Sequence, residues 1–230
     1  MTSLSVLSCK LLFKLAITSH CELYSFFPLV CYTIFDFEDH DLSNWTLNGT
    51  AFSNQPTYGD NPSERLKNDP TRKEPSKHQG HWWIGTYENR SSPSHPAGEK
   101  QDDEPQGSMT SPSFLIDANF LTFLIGAGCQ NFETRAELIV DGDVVFETNA
   151  ERHHHPCMET MFEKKWNVSG FTGRQAQLRL IDHSSGDWGH INFDHLQACH
   201  KLPVKRISRI NLKISKQLNG KKRTDSALKP

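Results

Sequence analysis

The sequence lacks any window of about 18 uninterrupted apolar residues, the length that a membrane-spanning helix needs. The most apolar stretch, residues 1–35, is interrupted by charged side chains, among them Lys10 and Lys14. A secretory leader carries its basic residues before a clean apolar run, so this stretch makes a poor signal peptide. We therefore expect no membrane span, and we interpret residues 1–33 as an irregular N-terminal segment.

The chain also lacks a charge excess of one sign, with 25 Lys and Arg against 27 Asp and Glu. The imbalance is local, because residues 201–230 hold ten of the 25 basic residues and one acid, Asp225. This tail has no aromatic residue to stack on bases, which argues against nucleic-acid binding. Its spaced Ile and Leu residues leave a lipid-surface helix open. We favour a solvated, disordered tail without membrane contact.

Two features indicate the secretory route and an extracellular protein. Four N-glycosylation sequons, none blocked by proline, begin at Asn44, Asn48, Asn89 and Asn167. The six cysteines are even in number, as expected for disulfides in an oxidising compartment. We predict the pair Cys129–Cys157, and the pair Cys31–Cys199 if the first and last strands are neighbours. The alternative is a set of buried free thiols.

Alternating apolar residues mark about ten short strands, and no convincing amphipathic helix accompanies them. The predicted strands cover residues 33–38, 45–52, 81–88, 108–116, 120–126, 135–140, 143–147, 162–168, 175–181 and 191–197. Asp141 and Gly142 predict a hairpin turn, because Asp-Gly accepts the positive φ angles that such turns need. The stretch 178–197, with its Ser-Ser-Gly segment, is interpreted as the last hairpin. The pattern predicts an all-β sandwich over residues 34–200.

The segment from residue 53 to residue 106 interrupts this pattern. It is polar and proline-bearing, with one apolar island at 81–88. A loop of this length inside a compact domain is usually a binding loop or disordered. We interpret the island as a strand to which the loop returns.

Eight ordered blocks of the chain are similar to a known module. They read FDFEDHDLSNWTLNGTAF, QPTYGDN, QGHWWIGTYE, GSMTSPSFLI, FLTFLIGAG, RAELIVDGDVVF, ETM and WNVSGFTGRQAQLRLIDHSSGDWGHINFDHL. In this order, over residues 34–197, the chain resembles the β-sandwich module appended to bacterial family 32 glycoside hydrolases of the levanase type. The resemblance implies a galactose-binding-like jelly roll. The loops at 61–79 and 91–103 are longer and more charged than this pattern.

The resemblance does not imply catalysis. Fructan cleavage by such enzymes depends on a separate propeller domain with a Trp-Met-Asn-Asp-Pro-Asn-like motif, of which this chain has only the fragment Asn68-Asp-Pro70. Asp182 and Asp187 flank one loop, and a pair of carboxylates is what glycoside hydrolysis requires, so they are candidates for that role. Exposed Asp residues in turns are more often turn formers. We predict a non-enzyme, with a glycoside hydrolase accessory or active domain as the remote alternative.

Sugars offer an apolar CH face and a rim of hydroxyls, so their sites combine an aromatic platform with fixed polar partners. Candidate platforms are Trp82, Trp83, Tyr87 and Trp188, and candidate hydroxyl partners are Arg135, Asp182, Asp187, His190 and Asn192. Adjacent strand residues face opposite sides, so only one of Trp82 and Trp83 is expected to be exposed. Trp188 has a structural alternative, as a plug at the end of the sandwich.

The jelly-roll resemblance also implies a structural calcium ion between the first and last strands. Glu38 in FDFE and Asp194 in INFD are the carboxylates at those positions, and Asp60 in YGDN is a further candidate. Calcium takes about six to eight oxygen ligands, so backbone carbonyls would complete the set. The alternative is that Glu38 and Asp194 are ordinary charges at strand ends.

Two function classes remain open. The first is a non-catalytic, secreted carbohydrate-binding module with an accessible aromatic side chain near Trp188. The second is an extracellular protein-interaction module on the same scaffold, with buried Trp side chains and contacts made by the 53–106 loop. The exposure of the tryptophans distinguishes the two.

Overall fold

The computed structural model describes residues 29–69, 71, 74–128, 132–151 and 157–201. Within these ranges the strands are β1 (Leu29–Phe35), β2 (Thr46–Gly49), β3 (Thr57–Tyr58), β4 (Trp82–Gly85), β5 (Gly107–Thr110), β6 (Phe114–Leu115), β7 (Phe120–Ala127), β8 (Thr134–Val140), β9 (Asp143–Thr148), β10 (Met158–Asn167), β11 (Gln175–Asp182) and β12 (Ile191–Lys201). A short α-helix, α1, spans Asn61–Arg65, and a 3-10 helix spans Ser169–Phe171.

The interpretation of residues 1–33 as an irregular segment does not hold for residues 29–33, which lie in β1. Residues 1–28 of that segment, and the tail from residue 202 onward, lie outside the described ranges. No helix within those ranges is both long enough and apolar enough to cross a membrane.

The strands of the described residues form two antiparallel sheets. Sheet I has the order β10-β7-β12-β4-β3, with β1 also paired to β12. Sheet II has the order β2-β5-β11-β8-β9, with β6 also paired to β11. Alternate residues of the central strands, such as Leu178 and Phe193, are fully buried in the core between the sheets. The predicted all-β sandwich is confirmed.

The hairpin between β8 and β9 follows the predicted turn chemistry. Val140 pairs with Asp143, and the two residues between them, Asp141 and Gly142, have φ angles of 51° and 93°. Positive φ at both central positions matches the right-handed twist of the flanking strands. The hairpin prediction is therefore confirmed.

The last-hairpin interpretation of residues 178–197 is wrong. Strand β11 lies in sheet II between β5 and β8, whereas β12 lies in sheet I between β7 and β4. The connection at 183–190 therefore crosses from one sheet to the other at the end of the sandwich. Eight residues are long enough to cover the ~10 Å between packed sheets, which a tight two-residue turn cannot do.

The segment 53–106 is ordered where the structure describes it, and it covers the outer face of sheet I. Trp83 of β4 points away from the core residue Ile84, donates its indole N–H to the carbonyl of Gly59 at 2.9 Å, and stacks on His78. Helix α1 begins after Asp60, whose side chain accepts a hydrogen bond from the Ser63 N–H. The sequence pattern misses this helix because five residues are too short for an amphipathic repeat.

A disulfide joins the first and last strands. Cys31 and Cys199 are direct partners in the β1–β12 register, and their sulfur atoms are bonded with a Cα–Cα distance of 4.1 Å. This predicted pair is confirmed. Cys157 is also disulfide-bonded, but Cys129 lies outside the described residues, so that pairing stays a prediction.

Candidate functional site

A groove of about 430 Å³ opens at the end of the sandwich where four parts of the chain meet. Helix α1 contributes Arg65, the segment after β4 contributes Tyr87, Lys100 and Asp103, and β10 contributes Glu159. The crossing connection 183–190 supplies Asp187, Trp188 and His190. The groove therefore depends on both the long loop and the connection between the sheets.

A chain of buried ion pairs forms the floor of the groove. Arg65 pairs with Glu88 and, at 3.3 Å, with Glu159. The Glu88 side chain is fully buried and that of Glu159 is 9% exposed. Burial raises the pKa of Glu88 to about 7, against the opposing effect of Arg65. Arg65 is thus one cation that serves two buried carboxylates.

His190 continues this chain as a buried cation. Its Nδ1 lies 2.6 Å from Asp103, and its Nε2 lies 3.5 Å from Glu159. Burial lowers the pKa of His190, but the two carboxylates outweigh that effect and raise it to about 9. Burial likewise raises the pKa of Glu159, but His190, Arg65 and Asn192 outweigh it and lower it to about 2. Both groups are therefore charged at neutral pH.

Two aromatic rings lie on either side of this imidazolium. Tyr87 lies 4.9 Å from the His190 ring, and Trp188 stacks on it at 5.7 Å with an interplanar angle of 20°. Arg65 and Lys100 also lie over the Tyr87 ring, at 4.8 and 5.5 Å. Both rings are half-buried. Among the described residues, Arg65, Lys100 and His190 lie against Tyr87, whereas His190 alone lies against Trp188, so Trp188 is the better candidate for a platform.

The backbone around Trp188 is strained in a way that fixes this ring. Trp188 has a φ of 63°, which is costly for a bulky side chain. Gly189 is required beside it, since a Cβ there would lie 2.5 Å from the carbonyl oxygen of Gly186. The N–H of Gly189 donates to that same oxygen at 2.8 Å. Strain of this kind is often found at binding sites.

The structure brings together Tyr87, Asp187, Trp188 and His190 of the predicted sugar-binding residues. It does not bring the others to the groove. Trp83 is fully buried and cannot offer its ring, and Asp182 and Asn192 are 1% and 0% exposed. Trp82 packs against Tyr58 and His40. Arg135 lies on sheet II, where it binds Glu137.

Sequence reasoning missed five of the groove residues, namely Arg65, Leu66, Lys100, Asp103 and Glu159. All but Glu159 lie in the long polar loop, where no periodicity indicates which side chains face the domain. Glu159 is the second residue of β10, which begins at Met158, four residues before the predicted strand at 162–168. A run of charges at 99–104 was the only available feature, and charge runs are usually solvated.

The three carboxylates that were predicted to bind calcium have different hydrogen-bond partners. The buried Oδ1 of Asp194 has no hydrogen-bond partner among the residues that the structure describes, and its Oδ2 accepts from the Gln79 N–H at 2.6 Å. Burial first, and then the charges of Glu38 and Asp36, raise the pKa of Asp194 to about 8. Asp194 and Glu38 are oxygen donors of the kind that calcium prefers, but Oε1 of Glu38 already accepts from the N–H groups of His81 and Trp82 at 2.7 and 2.8 Å.

Asp60 is engaged elsewhere, because its two oxygens accept from Ser63 and from the Ser76 N–H. Among the described residues, no three Asp, Glu, His or Cys side chains cluster to hold a metal. Backbone oxygens would therefore have to complete a calcium site.

The predicted glycosylation sites differ in accessibility. Asn44, Asn48 and Asn167 are exposed, and Asn89 is half-buried. The three exposed positions are open to modification, and the glycosylation itself stays a prediction.

Comparisons with known proteins give distant similarities. No family model matches the chain. A curated protein described as "Putative glycosyl hydrolase ecdE" from Aspergillus rugulosus is 33% identical over 94 residues, which is 41% of this chain. The chain spans 13% of the length of that relative.

Two solved structures illustrate the fold similarity. The K3 cleaved adhesin domain of Lys-gingipain from Porphyromonas gingivalis W83 is 14% identical with a TM-score of 0.38, covering 74% of this chain and 99% of that one. TmCBM61 in complex with beta-1,4-galactotriose is 15% identical with a TM-score of 0.40, covering 73% and 94%. The class of this domain, a two-sheet antiparallel sandwich, follows from its own sheet topology.

Proposed function

We propose that this domain is a non-catalytic glycan-recognition module whose site is the groove beside Trp188. The observation that carries the proposal is the half-exposed Trp188 ring, which is attached at a strained backbone position and lines a groove together with charged hydrogen-bonding groups. The family resemblance and the glycosyl hydrolase description of the curated relative support a carbohydrate setting.

The groove matches the two-sided chemistry of a sugar. The CH face of a pyranose or furanose ring stacks on the indole of Trp188, and its hydroxyls reach Asp103, Asp187 and Lys100. His190 holds Asp103 in place at 2.6 Å, and Asp102 and the Tyr87 hydroxyl hold Lys100. Such preorganisation lowers the entropic cost of binding.

We propose no catalytic role for the carboxylates of the groove. Glu159 is committed to Arg65, His190 and Asn192, so it is not free to transfer a proton. Asp182 is 1% exposed beneath the connection 183–190, so it does not form a hydrolytic pair with Asp187. The proposed ligand class, a glycan, therefore rests on the binding chemistry of the groove and not on a catalytic reaction.

The proposal includes an extracellular location and a calcium ion. The disulfide between Cys31 and Cys199 favours an oxidising compartment. Calcium would be held by Asp194 and Glu38 with backbone oxygens, where it would offset the charge that burial disfavours on Asp194. Its role would be structural, joining the end of β1 to β12.

The test is a glycan array that includes fructans, probed with the full chain in the presence and absence of a calcium chelator. Trp188→Ala is expected to weaken binding at least tenfold, about 1.4 kcal/mol, with its unfolding transition retained. Phe132→Ala, which removes an exposed ring outside the groove, is the matched control and is expected to bind normally. A folded chain that binds no glycan would contradict the proposal and favour the protein-interaction alternative.

A further inference from the structure

The cations that line the groove are all engaged with carboxylates of the chain itself. Arg65 pairs with Glu88 and Glu159, and His190 pairs with Asp103 and Glu159. Lys100 pairs with Asp102 and also donates to the Tyr87 hydroxyl at 3.2 Å. Among the described residues, every cation on the groove wall thus already has a carboxylate partner within the chain.

Asp187 is the exception among the charged lining residues. It is exposed and makes no hydrogen bond or ion pair with any residue in the described part of the chain. It directly precedes Trp188 in the turn that Gly189 and the positive φ of Trp188 hold in place. Within the described part of the chain, the groove therefore presents one unpaired negative charge next to the half-buried Trp188 ring.

An unpaired carboxylate at this position has two consequences for a ligand. It accepts hydrogen bonds from hydroxyl or ammonium groups, and two neighbouring hydroxyls of one ring can reach its two oxygens. It repels a carboxylate or sulfate brought to the same surface. Selectivity of this kind arises from an unfavourable contact as well as from a favourable one.

We propose that the groove selects neutral or amino sugars and rejects acidic ones, with Asp187 as the residue that determines this specificity. The inference rests on the proposed glycan-binding function of the same groove. Asp187 accepts from adjacent donors on the sugar ring while Trp188 covers the apolar face of that ring.

The experiment uses the full chain on an immobilised set in which each neutral glycan is paired with an amino counterpart and a carboxylated or sulfated counterpart. The wild-type chain is expected to bind the acidic member of a pair at least tenfold more weakly than the neutral one. Asp187→Asn is expected to reduce this ratio, because the amide keeps the size of the side chain and removes its charge. Higher salt is expected to reduce the ratio in the wild type.

Asp143→Asn is the matched control, since Asp143 is exposed on the β8–β9 hairpin of sheet II and is expected to leave the ratio unchanged. Acidic glycans that bind as tightly as neutral ones, or an Asp187→Asn ratio equal to that of the wild type, would overturn the inference while leaving the glycan-binding function in place. Failure of every member of the set to bind a folded chain would instead overturn the proposed function, and this inference with it.

Discussion

The outer faces of the two sheets both carry an arginine-glutamate cluster, but the clusters are built in opposite ways. On sheet II, Arg135 and Arg179 bind the same Glu137, at 2.7 and 2.6 Å. On sheet I, Arg65 is shared by Glu88 and Glu159 beneath the long loop, and His190 also pairs with Glu159. The arginine side chains of sheet II are 22% and 34% exposed, against 17% for Arg65.

This difference separates a structural ion pair from one that supports a site. On sheet II, two arginines share the carboxylate of Glu137, so this buried anion keeps a partner when either arginine is replaced. On sheet I, one arginine is shared by two buried carboxylates, of which only Glu159 has a further cation, His190. This arrangement is costly for folding, because desolvation opposes both anions. Charge arranged at such a cost, next to an open groove, favours a functional role for the sheet I cluster.

The largest expected effect is a difference in stability between two variants, each of which lacks one arginine of one cluster. Arg65→Met leaves the fully buried Glu88 without its ion-pair partner and Glu159 with His190 alone, and we expect a loss of about 3–5 kcal/mol in the free energy of unfolding. Arg179→Met leaves Glu137 with Arg135, and we expect a loss below about 1 kcal/mol. Urea denaturation of both variants measures the difference, and equal losses would show that the clusters are equivalent.

The second prediction concerns the calcium ion proposed at the rim of sheet I. At 100 times its dissociation constant, a ligand that binds only the folded state adds about 2.7 kcal/mol. We expect calcium to raise the melting temperature of the wild type, and Asp194→Asn to abolish that rise. Asp143→Asn on sheet II is the control and is expected to respond like the wild type. A wild type that melts at the same temperature with calcium and with chelator would contradict the calcium site.

The third prediction is a fall in stability with rising pH. His190 has a folded pKa of about 9, so its contribution is fully present below its unfolded pKa and is lost as pH rises through 9. Burial raises the pKa values of Glu88 and Asp182 to about 7 and that of Asp194 to about 8. The folded state therefore holds extra protons between about pH 4 and pH 8, and stability falls across that range as well.

We expect the free energy of unfolding, measured with chelator present, to be at least about 2 kcal/mol lower at pH 9 than at pH 5. His190→Gln should flatten the part of this profile between pH 7 and pH 9. A chain that is more stable at pH 9 than at pH 5 would show that His190, Glu88, Asp182 and Asp194 do not determine how its stability depends on pH.

The fold was predictable from the sequence where local chemistry determines it. Period-two alternation located the strands of the core, and Asp141-Gly142 located a hairpin. The connection 183–190 was misassigned because a Ser/Gly segment between two strands does not reveal whether those strands share a sheet. That choice depends on which neighbours β11 and β12 find, which is a property of the whole sandwich.

The site was predictable only where it coincides with a motif. Trp188, Asp187 and His190 lie in one short segment whose composition already favours a binding loop. Arg65 and Glu159 are 94 positions apart, and only the folding of the long loop onto sheet I brings them together. Trp83 was selected as a platform by its residue type, although strand alternation places it under that same loop.

The proposal that glycans bind in the groove beside Trp188 is tested most directly by an NMR titration of the nitrogen-15 labelled full chain with a glycan that it binds. The chain has five tryptophans, so each indole N–H reports on a different place in the fold. We predict a large shift for Trp188, with Trp83, which is fully buried and bonded to Gly59, as the internal control that stays unchanged. Glycan binding that leaves the Trp188 signal unmoved and shifts residues on the outer face of sheet II would contradict the account.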